Sequence, residues 1–300
     1  MSKGSRDISI IIPALNEGKS AEVTVDNIRK TIGLDNYEII IVDSGGTETA
    51  EIRTLPMVNV YSVSRLGAPQ ARNFGASKAS GDFFLFIDSH MEFIDGWGEI
   101  LLEQSRRNDK SIITPTIWAI GDYNCRCSGF KWKDINMEIE YLPDVRNELH
   151  EVPFACGGCM AISRELFDAL GKFDSGIRFW GLEDSEICMR SWLYGYSVLC
   201  APSIKVGHRF RISFPYKVES YDITYNKLWF AFSHFAPGRL SRYLKLASLD
   251  PNFVEALLMC LDNKVLERKR ALLEKRVYDD NWFFAKFPMA EWLEANNSQA

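Results

Sequence analysis

The chain has 300 residues, of which 46% are hydrophobic and 13% aromatic, so it can bury the core of one large domain or two small ones. A net charge of -5 argues against a general polyanion-binding surface, and we expect no stable complex with nucleic acid. The sequence has no run of about 18 apolar residues, the length of a membrane span, and residues 1–7 lack the apolar core of a signal peptide. These features predict a soluble, cytoplasmic protein without a transmembrane segment.

The N-terminal third alternates apolar runs with amphipathic segments. Four apolar runs are typical of buried strands, namely residues 8–12, 38–42, 58–63 and 83–87. Between them, residues 21–32 show helical spacing, and Pro69 fits the first turn of a second helix. Such an alternation predicts an α/β fold with a largely parallel sheet, whose ligands bind beyond the carboxyl ends of the strands. Asp43 and Asp88 follow two of those ends.

The rest of the chain is more mixed. Residues 114–152 show no sustained period, which indicates either an excursion over the sheet or a loop that meets the substrate. Helices are predicted at 164–170, after the capping residue Ser163, and at 184–194. A strand is predicted between the second helix and His208. The chain beyond residue 216 has a helical pattern. We therefore expect a catalytic domain over residues 1–235 and a helical C-terminal extension over residues 236–300.

Seven cysteines, an odd number, suggest free thiols in a chain without a signal peptide. Cys156 and Cys159 have the spacing of a zinc or redox pair, and Cys125 and Cys127 offer two further thiolates. The apolar surroundings of residues 154–162 favour buried structural thiols instead.

A carboxylate and two imidazoles form a candidate metal site. Asp88 and His90 end the apolar run at 83–87, and residues two apart in an extended chain project to the same side. His208 follows a predicted strand and supplies a third ligand, while Arg209 and Arg211 beside it suit phosphate charge. Carboxylate oxygen and imidazole nitrogen fit a divalent cation such as Mn²⁺. A strand followed by a polar turn is the alternative for Asp88 and His90 taken alone.

Five further residues are candidates for substrate contacts. Asp43 can accept hydrogen bonds from a nucleobase or ribose, or cap its own turn, and Arg72 can neutralise a pyrophosphate or form a surface salt bridge. Glu183 and Asp184 open a predicted helix, where acids stabilise the positive helix end or act on an acceptor nucleophile. Trp180 can provide an apolar wall for a sugar, or belong to the core.

Taken in chain order, these motifs resemble one family. The matching segments are residues 11–17 (IIPALNE), 41–44 (IVDS), 71–76 (ARNFGA), 86–90 (FIDSH), 157–162 (GGCMAI), 173–174 (FD), 180–184 (WGLED) and 206–211 (VGHRFR). The chain resembles the nucleotide-sugar glycosyltransferases of the GT-A fold in the large family-two group. Within that group it is most similar to the polypeptide N-acetylgalactosaminyltransferases, over about residues 8–232.

The resemblance implies a Rossmann-like GT-A fold, a UDP-sugar donor and a Mn²⁺ (or Mg²⁺) cofactor held by Asp88, His90 and His208. It also implies that Pro13, Glu17, Asp43 and Arg72 bind the donor. With the residues discussed above, the predicted donor-binding set is Pro13, Glu17, Asp43, Arg72, Asp88, Trp180, Arg209 and Arg211. A loop over residues 209–216 is expected to close over the donor and exclude water.

The chain departs from the polypeptide transferases at Asp184, where that family carries asparagine, and it shows neither their lectin domain nor their membrane anchor. The Glu-Asp pair resembles inverting GT-A enzymes, including β-1,4-galactosyltransferases. We therefore predict transfer to a hydroxyl or thiol of a peptide or glycan acceptor with inversion, in which Asp184 is the base and Glu183 lies beside it. Alternatives are a retaining polypeptide-type transferase, an inactive sugar-nucleotide-binding module, or a nucleotidyltransferase, for which residues 13–19 carry too few glycines.

Overall fold

The computed structural model describes residues 6–45, 52–211 and 214–289. Its strands are β1 Arg6–Ala14, β2 Tyr37–Asp43, β3 Val58–Ser62, β4 Gly81–Ile87, β5 Met91–Phe93, β6 Ser111–Ala119, β7 Asp122–Trp132, β8 Ile139–Pro143, β9 His150–Glu151, β10 Cys159–Ser163 and β11 Ser197–His208. Its helices are α1 Lys19–Thr31, α2 Ala68–Lys78, α3 Trp97–Arg107, α4 Arg164–Leu170, α5 Glu183–Leu193, α6 Ser220–His234, α7 Pro237–Ala247, α8 Phe253–Asp262, α9 Val265–Leu273 and α10 Asp280–Lys286.

Three predictions lie partly outside these residues: the catalytic domain at residues 1–5 and 46–51, the middle of the closing loop at residues 212–213, and the end of the C-terminal extension at 290–300.

The central sheet has the order β3-β2-β1-β4-β10-β6-β11-β5. The parallel pairing predicted for the first four strands is confirmed, since β1 pairs in parallel with both β2 and β4, and β2 with β3. Beyond β4 the sheet is mixed, because β10 runs antiparallel to β4 and β6. The chain passes from β6 to β10 through β7, β8 and β9 without a crossover helix, and parallel neighbours need a crossover connection.

The strand order reverses between β1 and β4, where β2 and β3 lie on one side of β1 and the later strands lie on the other. In open α/β sheets such a switch point opens a crevice at the carboxyl ends of the strands. The sequence 83–87 fills the centre of this sheet: Phe84 and Phe86 are buried and pack edge-on or tilted against Phe167, at 5.4 and 5.2 Å between ring centroids.

The local signals for helices were accurate. Ser163 caps α4 by accepting a hydrogen bond from the N–H of Leu166 at 3.1 Å, and Gly171 ends it in the left-handed region at φ 84°. Helix α1 buries Ala21, Val25 and Ile28, as its spacing predicts. The segment 114–152, whose structure the sequence left open, forms the end of β6 and a hairpin of β7 and β8 that stands beside the crevice.

The C-terminal helices pack against the sheet domain. One continuous cluster of buried side chains includes residues from both sides of position 235. An ion pair links the two parts, in which Nε of Arg268 on α9 donates to Oδ2 of Asp174 at 2.9 Å. Among the described residues, no helix combines the length and the hydropathy that crossing a membrane requires.

Candidate active site

A cavity of about 360 Å³ opens at the carboxyl ends of β1 and β4, between β8, the start of α5 and the chain after β11. Of the predicted site residues, eleven line it: Pro13, Glu17, Arg72, Asp88, His90, Trp180, Glu183, Asp184, His208, Arg209 and Arg211. The twelfth, Asp43, does not. The tertiary structure therefore brings together residues from five separate parts of the sequence.

The metal candidates come from two separate segments of the chain, which meet because β5, directly after His90, pairs with the end of β11. Asp88 and His90 follow β4, and His208 ends β11. One ligand atom from each residue lies within 4.8 Å of those of the other two. His208 Nε2 is 3.3 Å from Oδ2 of Asp88, and the two imidazole rings are 4.8 Å apart between centroids. This is a carboxylate–imidazole cluster at the floor of the cavity.

The surroundings of the cluster fit a divalent cation. One carboxylate and two imidazoles form a donor set suited to Mn²⁺. A Cβ atom at Gly158 would lie 3.1 Å from Cδ2 of His208 and 3.5 Å from Oδ2 of Asp88, so glycine leaves open space beside the ligands. Burial alone would raise the pKa of Asp88, but the hydrogen bond to His208 and the charges of His90 and Arg72 outweigh it and hold that pKa well below its usual range. Asp88 is therefore ionised, as a metal ligand must be.

Glu17 lies behind the cluster. Its Oε1 accepts a hydrogen bond from Nη1 of Arg211 at 3.0 Å, its Oε2 is in contact with Nη2 of the same guanidinium, and Oε2 lies 3.6 Å from Nδ1 of His90. Burial would raise the pKa of Glu17, but these hydrogen bonds lower it. The structure thus connects Glu17 to a metal candidate and to an arginine 194 positions along the chain.

Arg72 is buried, 3% exposed, between the two acidic parts of the site. It donates to Oε1 of Glu183 at 2.8 Å, to Oδ1 of Asp88 at 3.2 Å and to the carbonyl of Gly157 at 3.0 Å. The sequence allowed a surface salt bridge for Arg72, whereas the structure shows buried salt bridges instead. Through Nη1 and Nη2, Arg72 positions Asp88 and Glu183 relative to each other.

The two acids at the start of α5 have different surroundings. Glu183 is buried and also accepts a hydrogen bond from the N–H of Gly181 at 2.9 Å, so both of its oxygens are engaged. Asp184 is half-buried and accepts from the backbone N–H groups of Gly157, at 3.2 Å, and Ser185, at 2.6 Å. Burial and then the charge of Glu183 raise the pKa of Asp184 to about 7, against opposing hydrogen bonds and Arg72. That pKa suits a general base.

The turn before these acids is strained. Gly181 has φ 103° and Leu182 has φ 70°, and for leucine the left-handed region costs about 1–2 kcal/mol. Both residues line the cavity. Non-glycine residues in this region are most common where surrounding structure holds a functional group in place. Here the turn delivers Glu183 and Asp184 to the cavity.

Asp43 is buried beside the cavity rather than in it. Its Oδ1 accepts from the N–H of Gly45 at 3.2 Å and its Oδ2 from the hydroxyl of Ser62 at 3.4 Å. The turn-capping role considered from the sequence is present. Ser44, the residue after it, does line the cavity.

Aromatic side chains surround the mouth of the cavity; three belong to the predicted loop at residues 209–216, whereas Tyr141 was not identified from the sequence. Tyr141 on β8 packs on Phe210, whose ring lies 4.5 Å from that of His208, and Phe214 packs on Trp180 at 4.7 Å. Tyr216 also lines the cavity. The cluster of arginines and aromatics over residues 209–216 was the available signal, whereas nothing local marks Tyr141, because its position depends on the β7–β8 hairpin.

Comparison with known structures places this fold in a class. The solved structure of GalNAc-T7 with UDP, GalNAc and Mn²⁺ superposes with a TM-score of 0.77 at 22% identity, over 95% of this chain and 57% of that one. The likeness shows the GT-A fold predicted from the sequence.

The family follows from the sequence match. Residues 9–171 match the profile of glycosyl transferase family 2, and residues 146–213 match that of the N-terminal domain of galactosyltransferase. The chain belongs to glycosyl transferase family 2.

Curated relatives narrow the similarity further. Polypeptide N-acetylgalactosaminyltransferase 8 of Drosophila melanogaster is 32% identical over 68% of this chain, and polypeptide N-acetylgalactosaminyltransferase 11 of Xenopus tropicalis is 34% identical over 69%. The chain spans only 38% and 39% of the length of these two relatives.

Proposed function

We propose that this chain transfers a sugar from a UDP-sugar donor to a hydroxyl of a peptide or glycan, with inversion at the anomeric carbon. The observation that carries the proposal is the position of Asp184, a half-buried carboxylate with a pKa raised to about 7 in the cavity that also holds the metal candidates. A carboxylate with these properties can take the proton of an attacking hydroxyl at neutral pH.

The metal would be held by Asp88, His90 and His208, whose chemistry fits Mn²⁺ or Mg²⁺. When bound, such a cation stabilises the negative charge that develops on the leaving diphosphate. Arg209 lines the same cavity and adds positive charge on that side. Arg211, bound to Glu17, supports the arrangement from behind the ligands. The similarity to polypeptide N-acetylgalactosaminyltransferases, and to the solved structure that contains UDP and Mn²⁺, supports this proposal.

The remaining residues bind and orient the substrates. Pro13 and Trp180 provide apolar walls on the donor side of the cavity. Arg72 donates hydrogen bonds to both Glu183 and Asp88, which holds the start of α5 beside the metal candidates. The backbone N–H groups of Gly157 and Ser185 orient the Asp184 carboxylate, which leaves its proton-accepting face toward the cavity.

Retention is the second candidate, and it is favoured by the similarity to the polypeptide N-acetylgalactosaminyltransferases. The proton–proton coupling at the anomeric centre of the product distinguishes the two by NMR. A β-linked product from a UDP-α-sugar agrees with Asp184 as base, whereas an α-linked product assigns Asp184 to acceptor binding at most. A screen of UDP-sugars for UDP release, with and without Mn²⁺, followed by mass spectrometry of candidate acceptors, tests the reaction itself.

The pH dependence of the reaction should follow Asp184. Its folded pKa, about 7, lies above the ordinary value of 3.8, so the basic form is populated only as pH rises through 7. We expect kcat/KM for the acceptor to rise tenfold per pH unit below 7 and to level off above it. Steady-state rates between pH 5.5 and 8.5 measure this, and a flat profile over that range contradicts the assignment.

The predicted contact of Asp43 with the uridine is tested by binding. We expect Asp43→Ala to weaken UDP affinity, either directly or by releasing the turn that presents Ser44 to the cavity. Titration calorimetry with UDP and Mn²⁺ gives the dissociation constant, and Asp43→Asn, which keeps one acceptor oxygen for the turn, separates the two causes. An unchanged UDP affinity in both variants removes Asp43 from the donor site.

A further inference from the structure

Strand β8 forms an open edge beside the cavity. It pairs with β7 along one side, and no other strand in the described part of the chain pairs with it. Two of its side chains, Ile139 and Tyr141, are 50% and 48% exposed although both are large and apolar or aromatic. An exposed strand edge presents unpaired N–H and C=O groups to which another extended chain can bind.

The register of the hairpin shows which backbone groups face outward. The N–H of Lys133 donates to the carbonyl of Glu138 at 2.7 Å, which identifies a hydrogen-bonded pair. Hydrogen-bonded and non-hydrogen-bonded pairs alternate along an antiparallel ladder. Glu140, two residues further, therefore directs its backbone groups at β7, whereas Ile139 and Tyr141 direct theirs away from it.

The same two residues face the site. The side chains of Ile139 and Tyr141 line the cavity that contains Asp184, and the Tyr141 ring lies 5.4 Å from that of Phe210. Side chains of an added strand would alternate between the two faces in the same way, at a repeat of about 7 Å. Every second side chain of such a strand would point into the cavity.

We propose that the open edge of β8 docks the acceptor as an extended peptide, whose backbone pairs with Ile139 and Tyr141 and whose reacting side chain enters the cavity toward Asp184. This inference rests on the proposed transferase function. Recognition by strand addition uses main-chain hydrogen bonds for affinity and alternate side-chain pockets for specificity.

The edge fits a peptide better than a second copy of this chain or a glycan. Pro143 ends the strand and its carbonyl already accepts from the N–H of Val145, so the open edge is short. Antiparallel pairing of two β8 edges would also bring the acidic Glu138 and Glu140 of the two copies together, which is unfavourable. A glycan has no alternating N–H and C=O groups to match those of Ile139 and Tyr141.

The first test varies the peptide and leaves the protein unchanged. A panel of proline-free nonapeptides with one central threonine is screened for transfer, and the best acceptor is then N-methylated at one position at a time. We expect the peptide KM to rise roughly three- to tenfold at every second position around the threonine, as loss of one hydrogen bond predicts, and to change little at positions between them. Uniform sensitivity, or none, overturns docking by strand addition.

The outcome without a peptide acceptor is also decisive. Transfer to oligosaccharides alone, with UDP-sugar binding and UDP release intact, overturns the peptide edge while leaving the transferase in place. Absence of UDP-sugar binding, by contrast, fails the proposed function itself, so the two failures are distinguishable.

The second test removes one outward N–H from β8. Ile139→Pro deletes that donor at a position where no bond to β7 is lost, whereas Ile139→Val keeps the backbone groups and the apolar side chain. We expect the peptide KM to rise roughly three- to tenfold in the proline variant only. Circular dichroism confirms folding. Equal KM in the two folded variants overturns the proposal. A dimer that light scattering detects and that only Ile139→Pro dissociates also overturns it, because the edge would then bind a second copy of the chain.

Discussion

Replacing Asp184 with asparagine should lower the rate of sugar transfer by about 10²- to 10⁴-fold, the usual contribution of a general base. Asparagine keeps the volume and one oxygen that can accept from the N–H of Gly157 or Ser185, so the start of α5 should remain in place. It cannot take a proton from the acceptor. Single-turnover transfer, measured with saturating donor and Mn²⁺, isolates this step.

Stability and donor affinity provide the control for this variant. Because the folded pKa of Asp184 exceeds its ordinary value, the folded state holds more protons between pH 3.8 and about 7, and the contribution of Asp184 to the free energy of unfolding falls as pH rises through that window. Asp184→Asn should therefore melt no lower than the unmodified chain at pH 8 and bind UDP equally well. Asp168→Asn, on the exposed side of α4, is the matched substitution and should retain full activity. Retained transfer in Asp184→Asn contradicts the base.

Removal of the metal should abolish transfer. The cation site uses one carboxylate and two imidazoles, and without a cation the charge on the leaving diphosphate lacks its main stabilisation. We expect EDTA to eliminate activity and Mn²⁺ to restore it better than Ca²⁺, because imidazole ligands favour softer cations. Initial rates of UDP release across a metal series measure the effect.

Ligand variants then localise the metal. His208→Ala should lose both Mn²⁺ binding and sugar transfer. Electron paramagnetic resonance of the free ion measures the Mn²⁺ affinity. His150→Ala is the matched control, because His150 lies on β9, outside the cavity, with its ring nitrogen bonded to the carbonyl of Glu148 at 2.8 Å. Full activity in chelator, or unchanged Mn²⁺ affinity in His208→Ala, contradicts the metal site.

Local patterns in the sequence were sufficient for the elements and for most of the candidate site. The period of apolar residues predicted β1, β2, β4 and α1, because burial of one face or of a whole strand leaves its spacing in the chain. Asp88, His90 and His208 were identifiable because they follow predicted strands, and the carboxyl ends of parallel strands meet at one edge of a sheet.

Contacts between distant segments were decided only by the tertiary structure. Arg72 is a buried link between Asp88 and Glu183, which no local pattern distinguishes from a surface arginine. Asp43 ends a buried strand just as Asp88 follows one. Its carboxylate, however, accepts hydrogen bonds from its own loop and from Ser62, because β3, which carries Ser62, pairs with β2 at this point.

Glu183, Asp184 and Tyr141 show most clearly why local patterns were not sufficient for the whole site. Glu183 and Asp184 are adjacent in the sequence and similar as residue types, but Glu183 is held by Arg72, whereas burial and the charge of Glu183 raise the pKa of Asp184 to about 7. Tyr141 reaches that cavity because the β7–β8 register directs it there. The sequence by itself determined which elements form and which ligands end them, since those depend on neighbours along the chain. Burial, charge and strand pairing depend on neighbours in space, and only the folded structure supplies those.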